Sequence, residues 1–138
     1  MKTPVIQYRN FRDNCLYDTC YIAVDLHNTV FVPTFDKKET FTYFRWAKQC
    51  LQMLSKMPFV KLIMWTSCYQ DKIEMYLKHF EENNIHFDYV NENPECSNSN
   101  YACFDTKFYF DIGLDDRFGF EPEKDWAELY PELIKYFV

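Results

Sequence analysis

The sequence has only two glycines among its 138 residues, and it contains no long uninterrupted apolar run. A transmembrane helix needs roughly 20 consecutive apolar residues, so no membrane-spanning segment is predicted. The content of 20% aromatic residues, together with the scattered prolines, excludes collagen, coiled coils and low-complexity disorder. The composition therefore indicates a single globular domain over residues 1–138, because the chain is too short for two domains of ordinary size.

The start of the chain lacks the apolar stretch that a secretory signal requires. Met1 and Lys2 lead into a polar segment over residues 7–14. A signal peptide would instead place an apolar stretch of about 7–15 residues here. We therefore expect a cytoplasmic protein without membrane association, in which residues 1–19 form an N-terminal arm or an edge strand.

Positive charge is scarce. Fifteen lysines and arginines stand against 21 acidic residues, which gives a net charge of -6, and no more than two basic residues are adjacent. A protein that neutralises several phosphates normally has a basic face or stripe. The charge distribution therefore disfavours broad nucleic-acid binding.

The six cysteines include no Cys-x2-Cys pair. Zinc sites are usually built on such close pairs, so we expect free thiols rather than a zinc centre or disulfides. A chain of this length buries about two-thirds of its unfolded surface and folds without a metal or a disulfide. Any metal is therefore expected to serve function.

Four segments predict strands, the first two of them buried on both faces, and three of the four end abruptly in polar residues. A continuous apolar run without alternation is typical of a strand that is covered on both faces. The predicted strands lie at residues 20–24, 59–65, 85–90 and 108–114.

Helices are predicted between these strands. Apolar residues recur at spacings of three and four over residues 40–55 and 71–82, and a similar pattern after Gly119 predicts a terminal helix that is interrupted or restarted at Pro131. Alternating strands and helices indicate an α/β, Rossmann-like fold with a mainly parallel sheet and helices on both faces. The loops over residues 30–40 and 91–106 are too short for a cap domain.

Polar residues stand at the carboxyl ends of three predicted strands, namely Asp25, Thr66 and the pair Asp115 and Asp116. Ligands of open parallel sheets bind at these ends. Clustered carboxylates repel one another unless a cation lies between them, and Mg²⁺ commonly bridges carboxylates to a phosphate. We therefore expect Asp25 to bind metal and attack phosphorus, while Thr66 and Lys107 hold the phosphoryl oxygens.

The same residues resemble motifs of the haloacid dehalogenase (HAD) superfamily. The segment 25–30 (Asp-Leu-His-Asn-Thr-Val) is similar to motif I, and the segment 62–66 is similar to motif II. Lys107 matches the motif III lysine, and the segment 110–116 resembles motif IV. The resemblance covers roughly residues 20–120 and is strongest to small capless HAD proteins of bacteria and phages.

This resemblance implies a Mg²⁺-dependent phosphomonoester hydrolase that acts through an aspartyl-phosphate on Asp25. The metal ligands implied are Asp25, the backbone carbonyl of His27, and Asp115, with Asp116 binding or orienting a metal-bound water. His27 stands where the family usually has a second aspartate, the general acid. A histidine can also transfer a proton near neutral pH. Slow, altered or lost turnover is the alternative that this substitution opens.

Several structural interpretations stand beside these roles. Asp25 could be a solvated strand-end carboxylate, and His27 could be a loop residue without a catalytic role. The hydroxyl of Thr66 could cap the next helix, which would leave Ser67 as the phosphate ligand. Lys72 or Arg117 could replace Lys107. The aromatic run over residues 108–110 is interpreted as core.

Three functions follow from these interpretations. The first is a phosphomonoester hydrolase whose open, capless site accepts a phosphorylated substrate that is large or protruding, or is closed by a second subunit of a homo-oligomer. The second is a HAD-derived phosphate-binding or regulatory protein that has lost turnover. The third is a phosphatase for nucleotides or nucleic-acid ends, which the negative net charge disfavours.

Overall fold

A four-stranded parallel sheet forms the centre of the molecule, as the sequence predicts. The structure, a computed structural model, describes residues 4–14, 19–33 and 41–137. Every strand pair is parallel, and the strand order is β3-β2-β1-β4. This architecture confirms the α/β, Rossmann-like fold. The strands are β1 (Cys20–Val24), β2 (Val60–Met64), β3 (Tyr89–Val90) and β4 (Ile112–Leu114).

The helices of the described residues contribute to a single apolar core on one face of the sheet. The side chains of β1 that point into this core are Cys20, Ile22 and Val24. The opposite face, which includes Ala23 and Gly113, is covered by the loop over residues 91–111. We expected helices on both faces of the sheet. A loop covers this second face instead, because residues 91–111, which connect β3 to β4, form no helix. The helices are α1 (Pro4–Asn14), α2 (Ala47–Lys56), α3 (Gln70–Glu82) and α4 (Pro122–Phe137).

The prediction of an arm or edge strand at the N-terminus is wrong for residues 4–14, which form helix α1. Tyr8 is buried in the core, and both Arg9 and Arg12 form ion pairs with Glu132 of α4. These contacts fix the helix against α4. Residues 1–3 and 15–18 lie outside the described residues.

Strands β3 and β4 are shorter than the sequence predicts because an aspartate side chain replaces a backbone partner in each. Asp88 accepts a hydrogen bond from the backbone N–H of Leu62 at 2.9 Å. Asp111 accepts one from the backbone N–H of Tyr21 at 2.8 Å. Regular pairing therefore begins only after each aspartate.

The boundaries of two helices also differ from the prediction. Residues 41–44 pair with residues 30–32 through backbone hydrogen bonds, so α2 begins at Ala47. The predicted first residue of that helix, Thr40, is outside the described residues. Helix α4 continues through Pro131 without a break. Pro131 is exposed, so the carbonyl group that loses its helical partner can be hydrated.

No insertion among the described residues forms a cap domain, in agreement with the prediction. The described helices include none that is long and apolar enough to cross a membrane. Cys50, Cys68, Cys96 and Cys103 are free thiols. Cys15 is outside the described residues.

Candidate functional site

Three carboxylates meet at the carboxyl ends of the neighbouring strands β1 and β4. Val24 and Leu114 are partners in the β1–β4 register, so the residues that follow them, Asp25 and Asp115, lie side by side. Each of Asp25, Asp115 and Asp116 contributes a carboxylate oxygen to a group in which all oxygens lie within 4.8 Å of one another. Asp115 is only 5% exposed. The predicted convergence of these aspartates is therefore present in the structure.

The loop after β1 holds the carboxylates in place through Thr29, which is completely buried. Its hydroxyl accepts a hydrogen bond of 3.0 Å from the backbone N–H of Asp116. The same hydroxyl lies 3.2 Å from one carboxylate oxygen of Asp25 and 3.2 Å from one of Asp116. A hydroxyl has one proton, so it can donate to only one of these two carboxylates at a time. The cluster therefore has more acceptor oxygens than Thr29 can satisfy.

Asn28 supplies a further donor from the same loop. Its amide nitrogen donates to Asp116 at 2.8 Å, and its backbone has a φ of 59°. Asparagine tolerates this left-handed conformation better than most residues do. The backbone N–H of Arg117 donates to Asp115 at 2.9 Å. The loop and the turn after β4 thus orient two of the three carboxylates.

The ionisation of Asp25 reflects its crowded surroundings. Burial, followed by repulsion from the charge of Asp115, raises the pKa of Asp25 to about 6. The pKa of Asp116 is lowered, because hydrogen bonds from donors such as Asn28 and Thr29 outweigh the opposing effect of burial. Asp116 is thus held in its charged form, whereas Asp25 resists ionisation. A cation bound between them would stabilise the charged forms of both.

The donor set of this cluster fits a hard divalent cation. Carboxylate oxygens are the preferred ligands of Mg²⁺, and Mg²⁺ usually binds one or two carboxylates while it keeps several waters. The oxygens of Asp25, Asp115 and Asp116 are close enough to share one ion or its water shell. Their crowding, and the raised pKa of Asp25, supply the electrostatic reason for a cation here.

His27 lies on the same loop but does not belong to the carboxylate group. The side chain is exposed; its Nε2 shares a hydrogen bond of 2.8 Å with the hydroxyl of Tyr76, and its Nδ1 lies 4.0 Å from the sulfur of Cys68. The ring is also packed edge-on against Tyr76. The imidazole is therefore fixed at the rim of the site by α3 and by the loop after β2.

Thr66 stands just beyond the end of β2, as predicted. Its hydroxyl accepts the backbone N–H of Cys68 at 3.2 Å, so it stabilises the turn that leads into α3. Asn91 holds the Thr66 backbone with two hydrogen bonds of 2.8 and 2.7 Å. Thr66 does not cap α3, whose N-cap is Tyr69 and has no side-chain cap hydrogen bond, and the Thr66 hydroxyl keeps acceptor capacity. Ser67, the alternative phosphate ligand, is exposed.

Lys107 is exposed and lines a cavity together with Asp115. No carboxylate lies within ion-pair distance of Lys107 in the described part of the chain. Of the alternative cations, Arg117 is exposed in the turn after β4, and Lys72 is half-buried in the first turn of α3. Lys107 therefore shares a cavity with one member of the carboxylate cluster.

Two of the three aromatic residues that the sequence assigned to the core, Phe108 and Phe110, line this cavity instead. Phe108 and Phe110 are half-buried, and they form the cavity together with Trp65 and Phe118. The prediction failed because the run lies in the loop before β4 and not in the strand itself.

Sequence reasoning did not select Thr29, Asn28 or Asn91 as site residues. Each is a short polar residue that lies directly after a strand or in the loop beyond it. This position is the sequence feature by which such site residues could have been found. Asn28 and Asn91 both have positive φ, of 59° and 53°. An asparagine in the loop after a strand is therefore a candidate for a side chain that hydrogen-bonds to a neighbouring strand end.

The comparison with solved structures shows the fold. The chain is similar to a conserved protein from Bacteroides thetaiotaomicron, with a TM-score of 0.63, 21% sequence identity, and coverage of 87% of this chain and 93% of that chain. No family model and no curated protein matches the chain. The identity is too low to extend the likeness beyond fold, so the function must be argued from the site.

Proposed function

We propose that this protein is a Mg²⁺-dependent phosphomonoester hydrolase of the HAD type. The observation that supports the proposal most strongly is the group of three carboxylates at the ends of neighbouring parallel strands, with oxygens within 4.8 Å of one another. Asp25, Asp115 and Asp116 would hold the metal. The bound metal would neutralise these carboxylates and withdraw charge from the phosphoryl oxygens.

Asp25 is the proposed nucleophile. One oxygen of its carboxylate would form a bond to phosphorus while the bond from phosphorus to the leaving oxygen breaks, which gives an aspartyl-phosphate and an alcohol. Water would then attack phosphorus, release inorganic phosphate and regenerate the carboxylate. Mg²⁺ bound at the cluster would favour the ionised form of Asp25, which a nucleophile requires.

His27 is the proposed general acid and base. Its ring would donate a proton to the leaving oxygen in the first step and accept a proton from water in the second. Tyr76 fixes the ring by its hydrogen bond, and Thr66 and Lys107 would bind the phosphoryl oxygens. The exposed position of the ring at the rim is compatible with contact to a leaving group that enters from solvent.

The position of His27 also favours a second candidate, a phosphate-binding or regulatory protein without turnover. Both ring nitrogens face neighbours outside the carboxylate group, Tyr76 and Cys68. If the ring cannot leave these neighbours, the site would bind metal and phosphate but lack an acid for the leaving group.

A substrate panel separates the two candidates. Phosphorylated metabolites and 4-nitrophenyl phosphate are incubated with the protein in Mg²⁺ or in EDTA, and released phosphate is measured. The proposed function predicts release that requires Mg²⁺ and returns when Mg²⁺ is restored. Phosphate binding without any release would support the second candidate, and absence of both binding and release would contradict each of them.

A further inference from the structure

An aromatic cavity adjoins the carboxylate cluster on the face of the sheet that none of the described helices covers. Its volume is about 270 Å³, near the lower end of the range for small-molecule pockets. Asp115 forms part of its wall, and Ala23 and Gly113 lie at its floor on β1 and β4. The cavity therefore begins at a proposed metal ligand and extends away from it along the sheet.

Four aromatic side chains line this cavity, and two of them are well exposed. Trp65 is 41% exposed and Phe118 is 62% exposed. Phe108 packs against Trp65 with ring centroids 5.5 Å apart and against Phe110 with centroids 5.7 Å apart. Exposed aromatic surface is unfavourable in water, so rings that are held around an open cavity are suited to stack on a planar ligand.

The absence of a side chain at Gly113 gives the cavity its shape. A Cβ at this position would lie 3.1 Å from Cε2 of Phe110 and 3.7 Å from Cδ2 of Phe118. Glycine thus allows both rings to lie close to the sheet. A larger residue would push Phe110 away from the floor.

A second, polar cavity of about 460 Å³ adjoins the first, and Thr106 and Phe108 line both. Its other walls consist mainly of polar side chains such as Asn98 and Ser97. A planar ring that passes Phe108 would meet hydrogen-bonding groups at its far edge. This arrangement suits a nucleobase, which has polar edges, better than a simple aryl ring.

We propose that the aromatic cavity binds the base of a nucleoside monophosphate whose phosphate lies at Asp25. The inference rests on the proposed function, because that function places the phosphate next to Asp115. Lys107, at the mouth of the same cavity, would contact the phosphate or the sugar and contribute the positive charge that the carboxylate cluster lacks.

The test compares adenosine monophosphate with ribose 5-phosphate, which has the same phosphate linkage and lacks the base. Binding is measured by calorimetry in Mg²⁺ with the Asp25→Asn protein, so that no turnover is needed. Adenosine monophosphate is expected to bind at least about tenfold more tightly, as stacking on aromatic side chains allows. Trp65→Ala and Phe118→Ala should each reduce this ratio to about threefold or less.

Tyr101→Ala is the matched control, because Tyr101 is 98% exposed and does not line the cavity. It should leave the ratio unchanged. Equal binding of the two ligands, or an equal loss in all three variants, would overturn the inference. Tighter binding of phenyl phosphate than of adenosine monophosphate would overturn the assignment to a nucleobase, and tighter binding of a 5′-phosphorylated oligonucleotide would overturn the assignment to a free nucleotide.

Phosphate release by the parent protein is measured in parallel and distinguishes the two proposals. Selective binding of adenosine monophosphate without release from any ester would contradict the hydrolase and leave the base-binding cavity supported. Release from adenosine monophosphate and ribose 5-phosphate with the same KM would support the hydrolase and contradict the cavity assignment.

Discussion

At the scale of single residues, the central feature is a carboxylate that resists ionisation. Burial and the charge of Asp115 raise the pKa of Asp25 to about 6, so the ionised form of Asp25 weakens the folded state in the absence of a cation. Asp25→Asn removes the charge and keeps an oxygen that can accept from Thr29. We expect this variant to unfold about 3–5 °C higher than the parent in EDTA at pH 7, which corresponds to about 1 kcal/mol.

Mg²⁺ should reverse that order. The ion is expected to raise the melting temperature of the parent more than that of Asp25→Asn, because the variant keeps Asp115 and Asp116 but loses one of the three carboxylates, and a ligand stabilises only the state that binds it. Glu82→Gln, which removes an exposed carboxylate from the last turn of α3, is the control and should follow the parent. A variant that melts below the parent in EDTA would contradict the repulsion that we describe.

The second prediction at this scale concerns His27. If its ring protonates the leaving oxygen, His27→Ala should lower the rate on alkyl esters by about 10²-fold or more and affect aryl phosphates much less, because aryl leaving groups need little protonation. His27→Asp should keep or raise activity. Initial rates on both ester types between pH 5 and 8 test this. Equal losses on both types would argue against a proton donor.

At the scale of elements, the site depends on how α4 holds the loop after β1. The indole Nε1–H of Trp126, which is completely buried, donates to the backbone carbonyl of Thr29 at 2.7 Å. Trp126→Phe removes this bond and leaves a buried acceptor without its donor. We expect a loss of about 1–3 kcal/mol in the free energy of unfolding, together with weaker Mg²⁺ binding.

Trp46→Phe is the matched control for that prediction. Trp46 is half-buried, and its indole stacks on Tyr130 of α4. It should reduce stability without a specific effect on Mg²⁺ affinity. Urea unfolding and a Mg²⁺ titration of both variants provide the measurements, and unchanged Mg²⁺ affinity in Trp126→Phe would show that α4 does not position the site.

The strands also show which boundaries local sequence patterns can predict. The apolar run of β1 predicted its bounds, Cys20–Val24, because a continuous buried strand has a strong local signal. The ends of β3 and β4 were not predictable in this way. They depend on Asp88 and Asp111, whose side chains bond to backbone groups of neighbouring strands, and such long-range partners leave no trace in local periodicity.

The candidate site could likewise be predicted only in part. Asp25, Asp115 and Asp116 could be predicted because parallel topology brings strand ends together. The half-exposed cavity around Phe108 could not, because an aromatic run has the same sequence signal in a core as in a loop that lies over a sheet. The hydrogen bond between His27 and Tyr76 also depends on the packing of α3, which periodicity does not specify.

At the scale of the whole molecule, the two ends of the chain are joined by ion pairs. Glu132 of α4 is 6% exposed and pairs with Arg9 and Arg12 of α1, whose side chains are 49% and 36% exposed. Hydrogen bonds from Arg9, and also from Arg12, lower the pKa of Glu132 to about 2 against the opposing effect of burial. The charged form is therefore favoured in the folded state.

This pairing predicts a pH-dependent contribution to stability. Because the folded pKa of Glu132 lies below its unfolded value, the contribution is full above about pH 4.5 and is lost as the pH falls toward 2. We expect Glu132→Gln to cost about 1–2 kcal/mol at pH 7, since the exposed arginines are partly screened by solvent. Urea unfolding at pH 7, 4 and 3 should show the difference from the parent shrinking, and a difference independent of pH would contradict the ion-pair account.

The whole account depends on Asp25 as the nucleophile of a Mg²⁺-dependent hydrolase. The most direct measurement is the rate of phosphate release in Mg²⁺ by the parent, by Asp25→Asn and by Glu82→Gln, on the best ester of the substrate panel. The account predicts release by the parent and by Glu82→Gln, and a loss of at least about 10³-fold in Asp25→Asn, because an amide is a far poorer nucleophile than a carboxylate. Release by Asp25→Asn at a rate close to that of the parent would contradict it.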